Sequence, residues 1–135
     1  MNPSWWVLVV DDDAEVNALI VEMLRDEGFN AHGLTDARAA MALVDSASPP
    51  GFIIADMTMP DIDGVDLVGR AGRHGIQGVL ITAVDPRWLA LRTAASVMRK
   101  PFEVDELIRV VARHRPGPCV APAAAPTQLT CTATA

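Results

Sequence analysis

Short apolar runs alternate along the chain with stretches in which apolar residues recur every three or four positions. The first run, residues 5–10, is continuously apolar and rich in Val and Trp, a pattern typical of a buried strand. After three consecutive aspartates, apolar residues recur at i, i+3, i+4, i+7 and i+8, which predicts one face of a helix. That face comprises Val16, Leu19, Ile20, Met23 and Leu24, and Gly28 ends the helix.

The same alternation of strand and helix repeats along the rest of the chain. Further strands are predicted at residues 29–34, 52–55, 79–81 and 96–99. Further helices are predicted after a cap at Thr35 or Asp36, over residues 65–73 after a turn at 61–64, from Asp85–Pro86, and from Val104 to near Arg115. Five strand–helix pairs predict an α/β fold, a parallel sheet with helices on both faces.

The chain is expected to divide into a folded domain, residues 1–115, and a tail, residues 116–135. The tail is rich in Pro, Ala and Thr, shows no periodicity and carries no charged residue, so it is expected to be flexible or to be a linker stub. Both cysteines, Cys119 and Cys131, fall in the tail, which argues against a disulfide framework. The three histidines are scattered and match no zinc-binding spacing.

Length and charge narrow the class of protein. The chain has 135 residues, half of them apolar, and a net charge of -6, which fits one packed but acidic domain and disfavours nucleic-acid binding. No apolar run reaches the roughly 20 residues that span a bilayer, and the first residues do not resemble a signal peptide. A soluble cytoplasmic protein without membrane or nucleic-acid binding of its own is therefore expected.

Polar residues follow four of the predicted strands at the point where each strand ends. They are Asp11 and Asp12, Asp56, Thr82, and Lys100. Ligands of open parallel sheets bind outside the carboxyl ends of the strands, near the point where the strand order reverses. These five side chains are therefore expected to converge on one edge of the sheet.

The chemistry of these five residues indicates magnesium binding and phosphoryl transfer. Three carboxylates brought together repel one another, and Mg²⁺ relieves that repulsion while also binding phosphoryl oxygens. Asp56 is the candidate nucleophile that would form an aspartyl phosphate. Lys100, the only lysine among 11 basic residues, offers a compact ammonium group, and Thr82 offers a hydroxyl donor.

Most of the polar residues also have plainer interpretations when taken singly. A run of aspartates is usually solvated, and Asp13 is a candidate cap for the first helix. Asp61 and Asp63 are expected to shape a turn with Gly64 rather than to bind a ligand. Met57 and Met59 are expected to serve packing. Only the joint spacing of the set makes the signal specific.

Four stretches carry a resemblance to the receiver domains of response regulators in two-component signalling. They are VLVVDDD with Asp11 and Asp12, IIADMTMPDIDG with Asp56, LITA with Thr82, and RKPF with Lys100. The resemblance covers residues 5–115 and implies a flavodoxin-like sheet of five parallel strands in the order 2-1-3-4-5. It also implies a signalling module rather than an enzyme, one that assists its own phosphorylation and dephosphorylation.

The resemblance implies a role for each site residue. Asp56 would accept a phosphoryl group from a phosphohistidine on a sensor histidine kinase or a histidine phosphotransfer protein. Mg²⁺ would be bound by Asp12 and Asp56 directly, by Asp11 largely through water, and by the backbone carbonyl of Thr58.

The same resemblance implies how the signal leaves the site. Lys100 would contact the phosphoryl group beside a cis Lys100–Pro101 peptide, and Thr82 would move toward it. Receivers usually carry an aromatic residue three positions before the lysine, where this chain has Val97, and the interval from Thr82 to Lys100 is short by roughly one helical turn. Altered coupling to an unidentified protein target is therefore expected through the surface of the last two predicted helices, where homodimer formation stays open.

Two further hypotheses stay open. A haloacid-dehalogenase-like phosphatase also uses an aspartate nucleophile, for which Asp11 in VVDDDA is the candidate, but it needs a later acidic motif and no acid follows Glu106. A pseudo-receiver would use the same fold only as an interaction module. A magnesium titration separates the pseudo-receiver from a phosphorylatable receiver, because only the second has a specific metal site.

Overall fold

A computed structural model of the chain describes residues 5–57, 59, 62–82, 96–100 and 102–115. Strands and helices alternate through these residues in the order β1 (Val7–Val10), α1 (Ala14–Asp26), β2 (Ala31–Leu34), α2 (Ala37–Val44), β3 (Phe52–Asp56), α3 (Gly64–Arg73), β4 (Gln77–Thr82), β5 (Ser96–Arg99) and α4 (Val104–His114). All strand pairs are parallel, and the sheet has the order β2-β1-β3-β4-β5. The predicted α/β flavodoxin-like fold is thus confirmed.

The strand order reverses between β1 and β3, which lie side by side at the centre of the sheet. Their register pairs Val10 with Ala55, so the next residue of each strand path, Asp11 and Asp56, reaches the same level. Helices that leave neighbouring strands on opposite faces of the sheet open a crevice at such a reversal. The carboxylates therefore stand where this fold can accommodate a ligand.

In the described part of the chain, two helices pack against each face of the sheet. One core joins α1 and α4 to strand residues Val7, Val9, Phe52, Ile54, Val79, Ile81 and Met98. The other joins α2 and α3 to strand residues Leu8, Val10, Ile53, Ala55 and Leu80. Because both faces are covered, successive residues of β1, β3 and β4 are nearly all buried, which explains the continuous apolar runs in the sequence.

The orientation of α1 differs in part from the predicted one. Ile20 and Leu24 are buried as expected, but Leu19 is 52% exposed, so its assignment to the apolar face is wrong. The buried face instead includes Asn17 and Val21. A hydrophobic period places every polar residue outward, and it therefore missed a buried amide that hydrogen-bonds inside the fold.

Aspartates cap three of the four helices that the structure describes. Asp13 accepts hydrogen bonds from the backbone N–H groups of the first turn of α1, Asp36 caps α2 and Asp63 caps α3. Asp36 is therefore the cap where the sequence left Thr35 as an alternative. Gly28, with a φ of 89°, follows the end of α1 in the left-handed region that glycine adopts without strain.

An aromatic cluster lies at the amino ends of the strands, at the opposite end of the sheet from the carboxylates. The rings of Trp5 and Phe29 lie 6.4 Å apart, centroid to centroid. The guanidinium of Arg115, at the end of α4, lies 3.9 Å from the centroid of the Phe29 ring, within reach of a cation–π interaction. The first and last described segments of the chain therefore meet on one side chain.

Several predictions fall outside the described residues. They are the helix from Asp85–Pro86 and its reduced length, the role of Asp61 in its turn, and the tail at residues 116–135. The division into a domain of residues 1–115 and a tail accordingly stays a prediction. No helix in the described part of the chain is long and apolar enough to cross a bilayer.

The orientation of α1 predicts opposite outcomes for two leucine truncations on the same helix. Leu24→Ala removes a fully buried side chain and is expected to lower the free energy of unfolding by about 2–5 kcal/mol. Leu19→Ala removes a half-exposed one and is expected to change that free energy by no more than about 0.5 kcal/mol. Urea denaturation followed by circular dichroism measures both. Equal losses would contradict this orientation of the helix.

Candidate functional site

Three aspartates meet at the carboxyl ends of β1 and β3. One carboxylate oxygen each from Asp11, Asp12 and Asp56 can be chosen so that all three lie within 4.8 Å of one another. Asp11 is only 3% exposed and the Asp56 side chain 12% exposed, whereas Asp12 is open to solvent. Two carboxylates of the group, Asp11 and Asp56, are thus largely buried, and the third, Asp12, is accessible to solvent.

The turn from β1 into α1 fixes the buried carboxylate. The Oδ1 atom of Asp11 accepts a hydrogen bond from the backbone N–H of Asp13, at 2.9 Å. Asp13 in turn caps α1 through its own Oδ1, which lies 3.0 Å from the N–H of Glu15. The Asp11 carboxylate and the start of the helix are therefore positioned by consecutive turns of one short segment.

Asn17 is a site-supporting residue that the sequence pattern did not reveal. It lies in the first turn of α1, is 5% exposed, and its Nδ2 donates to the carbonyls of Val9, Asp11 and Leu34 at 3.2, 3.3 and 2.8 Å. A Cβ atom at Gly33 would overlap its Oδ1. The signal that could have found it is a short amide side chain one turn after the aspartates, on the side of the helix that continues into Val21 and Leu24.

The segment after β3 is held against both neighbouring elements. The N–H of Met57 donates to the carbonyl of Ile81 in β4 at 2.9 Å, and the N–H of Gly64 donates to the carbonyl of Met57 at 3.0 Å. A Cβ atom at Gly64 would overlap the Asp56 carbonyl and lie 2.9 Å from the Met57 Cα. Glycine therefore lets the start of α3 approach Asp56 closely.

Lys100 and Thr82 complete the set from the other side of β3. The Nζ of Lys100 lies 3.6 Å from Oδ1 of Asp56, and its backbone N–H donates to the Thr82 carbonyl at 2.7 Å. Thr82 is buried, and its hydroxyl donates to the Met57 sulfur at 3.5 Å. The five residues chosen from the sequence thus lie at one edge of the sheet.

Other predicted site features are placed differently or not described. Asp63 caps α3, which agrees with the expected structural role. Met57 is half-buried and packs against the core between the sheet and α2 and α3, as expected. Thr58, and Pro101 with its cis peptide, lie outside the described residues.

Burial and charge act together on Asp11. Burial is the largest cause that raises the pKa of its carboxyl group, and the nearby charges of Asp56 and Asp12 raise this pKa further. The hydrogen bond from Asp13 and the charge of Lys100 lower it. The raised pKa shows that the ionised group is held at an energetic cost, which a hard cation bound to these oxygens would relieve.

Comparison with known proteins gives a consistent match. The family model described as the response regulator receiver domain matches residues 7–112. An uncharacterized 14.6 kDa protein of Leptolyngbya boryana is 32% identical over 116 residues, which span 80% of this chain and 88% of that one. The DNA-binding response regulator MtrA of Mycolicibacterium paratuberculosis is 36% identical over 117 residues, 81% of this chain and 51% of MtrA.

Solved structures give the same picture. The receiver domain of NtrX from Brucella abortus superposes with a TM-score of 0.69 at 28% identity, covering 79% of this chain and 95% of that domain. The chain therefore spans nearly all of an isolated receiver domain but about half the length of MtrA.

The raised pKa of Asp11 predicts a pH-dependent stability in the absence of divalent cations. The native protein keeps a proton that the unfolded chain has released, so the free energy of unfolding falls as pH rises across that interval. Asp11→Asn retains an acceptor for the Asp13 N–H but carries no charge, and is expected to be more stable than the parent by roughly 1 kcal/mol at about pH 7. This advantage should shrink as the pH falls through the raised pKa of Asp11, because Asp11 then becomes protonated in the parent protein.

Urea unfolding in the presence of EDTA measures this difference at each pH. Asp26→Asn serves as the control, since Asp26 is exposed at the far end of α1 and its substitution is expected to change stability little. A less stable Asp11→Asn variant at neutral pH would show that the ionised Asp11 stabilises the fold.

Proposed function

The chain belongs to the response-regulator receiver family, and on that premise we propose that it accepts a phosphoryl group on Asp56 with the help of Mg²⁺. The observation that carries the proposal is the joint placement of three carboxylates within 4.8 Å of one another and of Lys100 at 3.6 Å from Asp56. A carboxylate nucleophile needs its charge balanced before it can approach a phosphate, and this arrangement supplies the balance from two directions.

The donor set fits magnesium. All three groups offer carboxylate oxygens, the hard ligands that Mg²⁺ prefers. Because Asp12 is exposed to solvent, there is also room for the waters that Mg²⁺ retains. We propose that Asp12 and Asp56 bind the ion directly, Asp11 largely through water, and the backbone carbonyl of Thr58 beside them. Bound there, the ion would neutralise the carboxylates and polarise phosphoryl oxygens.

The chemical step follows from the positions of the chain's own residues. An Asp56 oxygen attacks the phosphorus of a phosphohistidine whose other ring nitrogen carries a proton, and a new P–O bond forms. The P–N bond breaks, its electron pair stays on the ring nitrogen, and the donor imidazole leaves in its neutral form. The Lys100 ammonium faces one of the phosphoryl oxygens and stabilises its charge. The Thr82 hydroxyl, which donates to the Met57 sulfur, is proposed to turn toward another.

The partners belong to the same proposal. A sensor histidine kinase or a histidine phosphotransfer protein is the proposed donor, with the exchange in the cytoplasm, and an unidentified protein receives the output. The relative MtrA is a DNA-binding regulator by name, but this chain spans only half of it, and its acidity disfavours direct contact with nucleic acid.

The output is proposed to be coupled to the site in an altered way. Val97 is half-buried and packs against the core between the sheet and α2 and α3, where its short branched side chain lacks the reach of an aromatic ring. Thr82 and Lys100 are linked by the backbone hydrogen bond between their strands. We propose that a movement of Thr82 is passed on mainly through this backbone contact, and that α4 is part of the output or homodimer surface.

The competing hypotheses have less support. The pseudo-receiver does not explain why two further carboxylates and a lysine lie around Asp56. The phosphatase hypothesis makes Asp11 the nucleophile, yet Asp11 is the most buried of the three carboxylates and its Oδ1 already accepts the Asp13 N–H.

Asp56→Asn tests the phosphoacceptor role. The parent protein with Mg²⁺ and beryllofluoride, a stable phosphoryl mimic, is expected to show amide chemical-shift changes around residues 11, 56 and 82, and the Asp56→Asn variant none, because an amide oxygen is too weak a nucleophile to bind the mimic. Asp26→Asn is the matched control and should respond as the parent does. An unchanged response in Asp56→Asn would refute the assignment.

Lys100→Ala is expected to separate metal binding from the phosphoryl response. Loss of the ammonium beside Asp56 relieves about 1 kcal/mol of repulsion toward a dication in this solvated site, so Mg²⁺ should bind more tightly in calorimetric titration. The same loss should abolish the beryllofluoride response. Arg99→Ala removes the adjacent exposed cation and should leave the response intact. A Lys100→Ala variant that still responds would rule out the proposed contact.

A further inference from the structure

We propose that Asn17 is a positioning residue for the carboxylate site, acting through the peptide that joins Asp11 to Asp12. The inference rests on the proposed binding of Mg²⁺ at these aspartates. Asn17 touches neither the cation nor the phosphoryl group in this proposal. It holds the backbone from which both carboxylates project.

The contacts of Asn17 join three elements at one point. Its amide lies in the first turn of α1 and donates to carbonyls at the end of β1 and at the end of β2, with the shortest bond, 2.8 Å, to Leu34. The Leu34 carbonyl also accepts the N–H of Asp11 at 3.3 Å. The end of β2 is thus linked to Asp11 directly and through Asn17. An amide group with two N–H donors shared among three carbonyls has no freedom left to turn.

The bond to the Asp11 carbonyl, at 3.3 Å, is the one that reaches the site. That carbonyl belongs to the peptide plane between Asp11 and Asp12, and the orientation of this plane sets the direction in which the Asp12 side chain leaves the backbone. Asp11 itself is held at its carboxylate by Asp13. Asp12 is exposed, and the fixed peptide plane constrains where its Cα, the base of its side chain, lies relative to Asp56.

Gly33, in β2, lies directly against the side chain of Asn17, in α1. A Cβ atom at residue 33 would overlap the Oδ1 of Asn17 and lie 3.0 Å from a methyl group of Val21. The amide therefore occupies the space that any other residue at 33 would need. This pairing makes it possible to separate the volume of Asn17 from its hydrogen bonds, because an alanine at 33 can fill the volume and cannot replace the donors.

Three variants of the full chain test the inference: Asn17→Ala, Gly33→Ala and the double variant. Magnesium dissociation constants are measured by calorimetry, and melting temperatures in EDTA by circular dichroism. Asn17→Ala is expected to weaken Mg²⁺ binding by about tenfold, the usual effect of removing a group that orients a metal ligand. Gly33→Ala is expected to melt at a lower temperature than the parent because of the overlap.

The double variant is the decisive one. It is expected to melt above Asn17→Ala, since the added methyl fills the space, while its Mg²⁺ affinity stays as weak. Affinity that recovers together with the melting temperature would overturn the inference, as would an Asn17→Ala variant that binds Mg²⁺ like the parent. If Asn17→Ala does not fold, the double variant compared with the parent gives the same answer: a double variant that binds Mg²⁺ as tightly as the parent would overturn the inference.

Two control proteins accompany these variants. Asn30→Ala makes the same substitution at an exposed position and should change neither the Mg²⁺ affinity nor the melting temperature. The folded parent chain, measured before any variant, tests the proposed function by itself. If the parent binds no Mg²⁺, the proposed function fails and this inference with it; if the parent binds and Asn17→Ala binds equally well, only the inference fails.

Discussion

Three carboxylate groups from two neighbouring strands lie within 4.8 Å of one another, and their mutual repulsion has to be met by the surrounding fold. The apolar strands beneath them make the position more costly, because burial raises the pKa of Asp11. The Lys100 ammonium, which follows β5, offsets part of this repulsion. The N–H of Asp13, in the turn before α1, offsets another part. Lys100 leaves two of the three negative charges unbalanced, which is the charge that a divalent cation would neutralise.

Short polar side chains keep the loops around this site in place. Asp13 and Asp63 cap the helices that follow β1 and β3. Asn17 donates hydrogen bonds to backbone carbonyls at the ends of β1 and β2. Gly64 contributes by its missing side chain, which lets α3 come close to Asp56. Each of these residues acts on backbone rather than on a ligand, so the geometry of the carboxylates is fixed before any ligand arrives.

Much of this arrangement could be predicted because it rests on local signals. Continuous apolar runs mark strands that are covered on both faces, aspartates before an amphipathic run mark helix starts, and residues at the carboxyl ends of parallel strands must converge. The strand bounds were harder to predict. β4 begins at Gln77, two residues before its predicted start, because pairing with β3 extends it beyond its apolar stretch.

The parts that the sequence did not reveal depend on tertiary contacts. Leu19 has the spacing of a core residue and is exposed, whereas Asn17 has the character of a surface residue and is buried. The difference arises from the carbonyls of β1 and β2, which need a donor at that point of the interface. The match between Asn17 and Gly33 joins residues from different elements, and no local pattern in either element indicates it.

The cluster of Trp5, Phe29 and Arg115 has a consequence for the connectivity of the domain. The first and last described segments meet at Phe29, at the amino ends of the strands and away from the carboxylates. A short linker can therefore join residue 115 to residue 5 without crossing the sheet, which is the geometric condition for circular permutation. New termini in the exposed turn at residues 45–48, after α2, would then change the order of the elements along the chain while leaving the aspartates, the lysine and the strand order of the sheet as they are.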